Sequence, residues 1–136
     1  MFVLDTNVIS ELRRPAKANP KVLAWAAATP VANTYLSSIT ILELELGALL
    51  VERRDKTQGK VLRDWIDSSV LPRFEGRILA VDTAVAQRCA RLHVPDPRAE
   101  RDALIAATAA VHAMTVVTRN VADFGMAGIM VLNPWD

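Results

Sequence analysis

The sequence predicts an α/β fold with a largely parallel central sheet of about five strands. Two observations carry this. Short apolar runs at 2–4, 34–38, 77–81, 115–118 and 130–132 read as strands. Between them lie segments with helix caps and helical apolar spacing. Strands that alternate with helices favour parallel pairing, because the helices serve as crossovers.

Each element has a local reason. Phe2-Val3-Leu4 stops at Asp5, and Thr6 or Asn7 can cap a helix that runs through 14 and is ended by Pro15. Asn19-Pro20 offers a cap and a first helical residue for a helix through 28. Positions 39–54 hold strong helix formers, with an apolar stripe at Leu42, Leu46, Leu49 and Leu50. Positions 55–70 form a separate helix, with Val61, Leu62, Trp65 and Ile66 inward. Asp82-Thr83 caps a helix through 93, and Val94-Pro95-Asp96-Pro97 is a rigid break. Positions 99–113 form an alanine-rich helix before the fourth strand.

The 136 residues suit one domain over 1–136, and a composition of 51% hydrophobic and 23% charged residues is that of a folded chain. No apolar run is long enough to cross a bilayer, and no secretory leader pattern opens the sequence. Cys89 is the single cysteine, so an internal disulfide is impossible and a reducing cytoplasm is the expected location. Its neighbours Ala86, Ala90 and Leu92 mark it as core filler. The net charge of +1 does not announce a nucleic-acid binder. Basic groups do cluster, at Arg13, Arg14, Lys17 and Lys21 and again at Arg53, Arg54, Lys56, Lys60 and Arg63. Such clusters read as solvated helix surface or as a field that steers a polyanion.

The chemistry lies in the carboxylates. In open parallel sheets, sites form beyond the carboxyl ends of the strands. Asp5 follows the first strand directly, where it serves either a site or a helix cap. Asp123 lies in the loop leaving the fourth strand, as a site residue or a turn residue. Asp102 shares a helical stripe with Ala106, Ala109 and Ala113, with Thr108 and His112 to one side. An acid on a core-facing stripe is costly unless paired or metal-bound, although a helix dipole also favours it there. The helical wheel separates Glu43 from Glu45 only mildly. Gly47, one turn beyond Glu43, is expected to admit a close backbone neighbour.

Four converging carboxylates repel, by roughly 4 kcal/mol for each pair about 4 Å apart at an effective dielectric near 20. A hard cation relieves this, and oxygen-only ligands favour magnesium or manganese. Zinc is not expected, because Cys89, His93 and His112 show no paired ligand spacing.

The sequence resembles the PIN-domain ribonucleases, in particular the VapC-like toxins of bacterial toxin–antitoxin pairs. Leu4-Asp5-Thr6-Asn7-Val8-Ile9-Ser10-Glu11-Leu12 is similar to their opening motif, and Ser38-Ile39-Thr40-Ile41-Leu42-Glu43-Leu44 to their second. Asp102-Ala103-Leu104-Ile105-Ala106-Ala107-Thr108-Ala109 resembles the third. Thr118-Arg119-Asn120 through Asp123-Phe124 resembles the fourth, and Asn133-Pro134-Trp135 a frequent ending.

The resemblance implies a three-layer α/β/α sandwich and selects Glu43 over Glu45. It makes Asp5, Glu43, Asp102 and Asp123 the acidic site for Mg2+ or Mn2+. Asn7 and Thr118 become supporting polar groups, and Arg119 a residue within reach of a phosphate. It further implies an RNA substrate, a homodimer and a cognate antitoxin protein. His112 stands beside no nucleophile or base and is not expected to act.

An aspartyl phosphatase would need a second Asp two residues after Asp5, where Asn7 stands. It and a receiver domain would both need a later lysine, and Lys60 is the last. A P-loop or dinucleotide site would need an early glycine-rich turn, and Gly47 is the first glycine. The remaining alternative is a catalytically silent PIN-like module that binds RNA or antitoxin.

Overall fold

The computed structural model describes residues 1–126 and 128–136. Five strands form one sheet in the order β3-β2-β1-β4-β5. They are β1 (Phe2–Leu4), β2 (Thr34–Ser37), β3 (Ile78–Leu79), β4 (Thr115–Val117) and β5 (Val131–Leu132). Every pairing is parallel, with Leu4 opposite Val117 and Phe2 opposite Thr34. The helices are α1 (Thr6–Leu12), α2 (Pro20–Ala28), α3 (Ser38–Arg54), α4 (Lys56–Trp65), the single turn α5 (Leu71–Arg73), α6 (Thr83–Leu92) and α7 (Glu100–Val111).

The pleat divides the core into two. Val3 and Val116 point to one face, against Val85, Cys89, Ile105 and Ala106 of α6 and α7. Leu4 and Val117, one residue on, point to the other, against Val8, Leu44, Ile66 and Val70. This period-two alternation makes the three layers, helices on both faces of one sheet. Cys89 is 4% exposed within the first core, as expected of filler.

Several expected boundaries shift. α1 ends at Leu12 rather than at 14, and a 3-10 turn at Pro15–Lys17 follows it. Its cap is Asp5, whose side chain accepts from the Thr6 amide, not Thr6 or Asn7. Helix α4 gives way to a π-helical stretch at Ile66–Val70. Ala113 leaves α7 in the left-handed region (φ 54°) and is exposed, so the small-residue stripe stops at Ala109.

Helix α3 presents four of its five leucines to solvent. Thr40, Leu44 and Ala48 are its buried residues, while Leu42, Leu46, Leu49 and Leu50 lie on the exposed side. A helix apolar nearly all round can bury either side, and the smaller residues give the closer approach to the sheet. On α4, Leu62 and Trp65 are half-buried, and Ile66 beyond its end is buried, but Val61 is exposed. Helix α4 therefore covers only part of α3.

Gly47 has no heavy-atom neighbour within 4 Å of where a side chain would start. The close backbone approach is instead at Gly59 on α4, where an added Cβ would lie 2.6 Å from Glu52 Cα.

Candidate active site

From β1 the chain adds β2 and β3 on one side, then crosses to place β4 and β5 on the other. The strand order therefore reverses between β1 and β4, and at such a point the loops diverge and leave a crevice at the carboxyl edge. Asp5 and Thr118 straddle that crevice, one residue beyond the Leu4–Val117 pair.

Asp5 is 5% exposed and its oxygens are committed. Oδ1 accepts from the Thr6 amide at 2.8 Å, and Oδ2 accepts from the Thr118 hydroxyl at 2.7 Å. Asn7 Nδ2 donates to Oδ2 of Asp5 and to Oγ1 of Thr118, each at 3.3 Å. Thr118 accepts from the Asn120 amide at 3.0 Å, and Asn7 Oδ1 accepts from the Arg119 amide at 3.4 Å. Asn7 and Thr118 thus fix both the carboxylate and the start of the loop that carries Asp123. Burial is the largest influence on Asp5 and raises its pKa above 3.8, opposed by the bonds from Thr118 and Thr6 and reinforced by Glu43 and Asp123.

Glu43 lies one turn into α3. Its Oε1 accepts the Thr6 hydroxyl proton at 2.7 Å, and Thr6 Oγ1 lies 3.2 Å from Thr40 Oγ1. Glu45 turns away and pairs with Arg63 of α4, so the two acids of α3 serve different surfaces. Asp102 stands in the first turn of α7. Asp123 is exposed on the 3-10 turn Val121–Phe124, which buried Phe124 anchors.

The four acids act on one another. Asp102 is pushed up from 3.8 to about 6, chiefly by burial, then by the negative charges of Asp5, Asp123 and Glu43, against a small opposing effect of Arg101. No three of the four bring oxygens all within 4.8 Å of one another. The donor set is all oxygen, strongly negative and open, which fits a hard dication that keeps part of its water shell. Closer and softer donors would be needed for zinc.

Cys89, His93 and Glu100 do bring ligand atoms within 4.8 Å of one another, between α6 and α7. Cys89 and His93 are four apart on one helix, so the expectation that these residues show no paired ligand spacing is corrected for this pair. The Arg98 amide donates to His93 Nδ1 at 3.0 Å, which leaves the ring hydrogen on Nε2. Nε2 is the nitrogen that faces Cys89 at 3.7 Å and Glu100 at 3.4 Å, so it has no lone pair to offer a cation. This cluster ties the end of α6 to the start of α7.

His112 caps the far end of α7 and is exposed, roughly 15 Å along the helix from Asp102 at 1.5 Å per residue. Arg119 stacks on Trp135, its guanidinium 5.6 Å from the ring centre. Arg13 stacks on Trp65 at 5.9 Å, and both line a cleft of about 220 Å³ that also contains Thr6, Glu43 and Gly47. Thr40 and Arg101 were not singled out from sequence, and Thr6 was read there only as a helix cap. Thr40 and Glu43, three apart on a helix, was the available signal for the first contact.

An open parallel α/β sandwich with four carboxylates gathered at its switch point has a donor set suited to a hard cation. The PIN domain family model matches residues 2–124, and the chain belongs to that family. It is 43% identical to Toxin FitB of Neisseria gonorrhoeae, over 99% of both chains. It is 37% identical to VapC ribonuclease Y4jK of Sinorhizobium fredii, over 100% of this chain and 99% of that one. The crystal structure of FitAcB from Neisseria gonorrhoeae superposes with a TM-score of 0.89 at 41% identity, covering 99% of both chains. A toxin–antitoxin complex from Klebsiella pneumoniae superposes with a TM-score of 0.70 at 26% identity, covering 100% of this chain and 99% of that one.

Proposed function

We propose that this chain is a metal-dependent endoribonuclease and the toxin of a toxin–antitoxin pair, acting in the cytoplasm as one nuclease domain over residues 1–136. The observation that carries the reading is the gathering of Asp5, Glu43, Asp102 and Asp123 at one crevice, where burial first and then the other three charges push the Asp102 acid up to about 6. A site that resists its own ionisation gains most from a dication. The names Toxin FitB and VapC ribonuclease Y4jK, borne by relatives matching over nearly the whole chain, support the substrate class and the biological role.

Asp5, Glu43, Asp102 and Asp123 would hold Mg2+ or Mn2+, directly or through water. Bound there, the ion would polarise a phosphoryl oxygen and lower the pKa of water for in-line attack on phosphorus. The residues of the chain do the positioning. Thr118, Asn7 and the Thr6 amide fix Asp5, and the Thr6 hydroxyl fixes one oxygen of Glu43. Asp123, exposed on its 3-10 turn, is open to the ligand.

The partner is a cognate antitoxin, supported by the toxin–antitoxin structure to which the chain is similar. An apolar groove of about 330 Å³ between α1, α2 and the π-helical stretch, lined by Leu23, Trp25, Trp65 and Phe74, offers it a seat. An arginine from the antitoxin entering the acidic crevice would compete with the metal. A homodimer is proposed on the exposed leucines of α3.

The test is incubation with RNA and Mg2+ or Mn2+, with and without chelator, and sequencing of the ends. Cleavage only with metal, leaving 5′-phosphate and 3′-hydroxyl ends, is expected. Intact RNA with metal-loaded protein would favour a silent binding module, and cleavage that survives chelation would remove the metal from the mechanism.

A further inference from the structure

Arg101 occupies an unusual place. It lies in the first turn of α7, where the helix dipole disfavours a cation, and it precedes Asp102. Its Nη1 lies 3.6 Å from Glu43 Oε2. The Thr6 hydroxyl already holds the other oxygen, Oε1. The oxygen of Glu43 that accepts no hydrogen bond is therefore the one that Arg101 faces. Arg13 and Arg119, the other arginines near the crevice, lie over tryptophan rings, whereas Arg101 has Glu43 as its partner among the described residues. The Arg101 side chain is 51% exposed, so it has room to swing without disturbing the core.

We propose that Arg101 is a built-in cation that covers Glu43 in the metal-free protein and, once a dication takes Glu43, turns outward to bind a phosphate of the RNA. This rests on the reading of the acidic crevice as the metal site of an RNA-cleaving enzyme. A dication on that oxygen would repel a guanidinium held 3.6 Å from it, so metal binding would favour release of Arg101. The released group stands beside the crevice, and its planar fork of donors matches phosphate oxygens. Arg101 thereby couples metal loading to substrate binding. It keeps a strongly acidic mouth from repelling RNA at the moment the mouth becomes competent.

Arg101→Gln and Arg101→Lys separate this role from a surface ion pair. Mn2+ binding is measured by electron paramagnetic resonance. Binding of a labelled single-stranded RNA oligonucleotide is measured by anisotropy in EDTA and in Ca2+, with RNA integrity checked on a gel. Arg101→Gln should bind Mn2+ roughly two- to five-fold more tightly, the scale of an exposed ion pair, while Arg101→Lys stays near wild type. In Ca2+, Arg101→Gln should bind RNA several-fold more weakly than wild type, and in EDTA the two should differ far less. Unchanged Mn2+ affinity, or an RNA loss equal in EDTA and Ca2+, overturns the proposal while leaving the metal site intact. If the wild-type chain binds no Mn2+, or binds it as well after Asp102→Asn, the reading of the site fails and the proposal falls with it. Equal melting temperatures of the variants establish that the comparison is between folded proteins.

Discussion

The Thr118 hydroxyl donates to Asp5 Oδ2 at 2.7 Å across the gap between β4 and β1, with Thr118 fully buried. The bond joins the two strands where their order reverses, and it lowers the pKa of an acid that burial raises. Thr118→Val keeps the shape and removes both the donor and the acceptor that serves the Asn120 amide. The variant should lose about 1–3 kcal/mol of stability. Its metal affinity should fall roughly ten- to hundredfold, as for lost partners of metal-binding carboxylates. Calorimetric titration with Mn2+ checks this, and wild-type affinity in Thr118→Val would show that Asp5 does not need the bond.

Asp102 gives the metal-free protein a specific pH dependence. Its folded-state pKa is about 6 against 3.8 for the free side chain, so between these values the folded chain holds a proton that the unfolded chain has released. The unfolded state binds fewer protons there, and stability must fall as pH rises from about 4 to about 6. Asp102→Asn should remove its share of that slope, leaving the smaller share of Asp5, and raise the melting temperature in EDTA at neutral pH, while weakening metal binding and abolishing cleavage. Melting curves of both proteins across this range decide the matter. Parallel pH profiles would mean that Asp102 is not the strained acid.

What was legible in the sequence is what is set locally. Asp5 stands at a strand end, Asp102 in a first helical turn and Asp123 in a short loop, and each placement follows from chain order once the sheet is parallel. Contacts that need two elements were harder to read. Thr6 meets Glu43 only because α1 and α3 leave neighbouring strands, and Arg101 meets Glu43 only because α7 packs beside α3. The outward leucines of α3 were ambiguous because both sides of that helix are apolar, and the smaller side is the one buried. Gly47 was misassigned and Gly59 went unnoticed, since the α3–α4 crossing is invisible in one helix alone.

The glycines therefore predict opposite effects of one substitution. At Gly59 an added Cβ would meet Glu52 Cα and Cβ at 2.6 Å and its amide nitrogen at 2.9 Å. Backbone atoms cannot move aside without separating α3 from α4, so Gly59→Ala should cost about 1–3 kcal/mol despite its better helix propensity. At Gly47 nothing lies within 4 Å, and Gly47→Ala should gain up to about 1 kcal/mol from propensity alone. Urea unfolding of both variants tests the pair. A stable Gly59→Ala protein would mean that α4 does not cross α3 at this point.

Leu42, Leu46, Leu49 and Leu50 recur at offsets of four, seven and eight and make one exposed stripe, from 36% to 53% accessible. Water in contact with such a contiguous apolar strip is a standing cost, and a second copy of the chain would remove it. Because the stripe lies outside both cores, acidic residues there disturb association rather than folding. The double variant Leu42→Glu, Leu49→Glu should keep the wild-type circular dichroism spectrum and run as a monomer where the wild-type chain is a dimer. Light scattering from about one to one hundred micromolar compares them. A wild-type monomer over that range would remove the homodimer, and a dimeric double variant would move the interface away from α3.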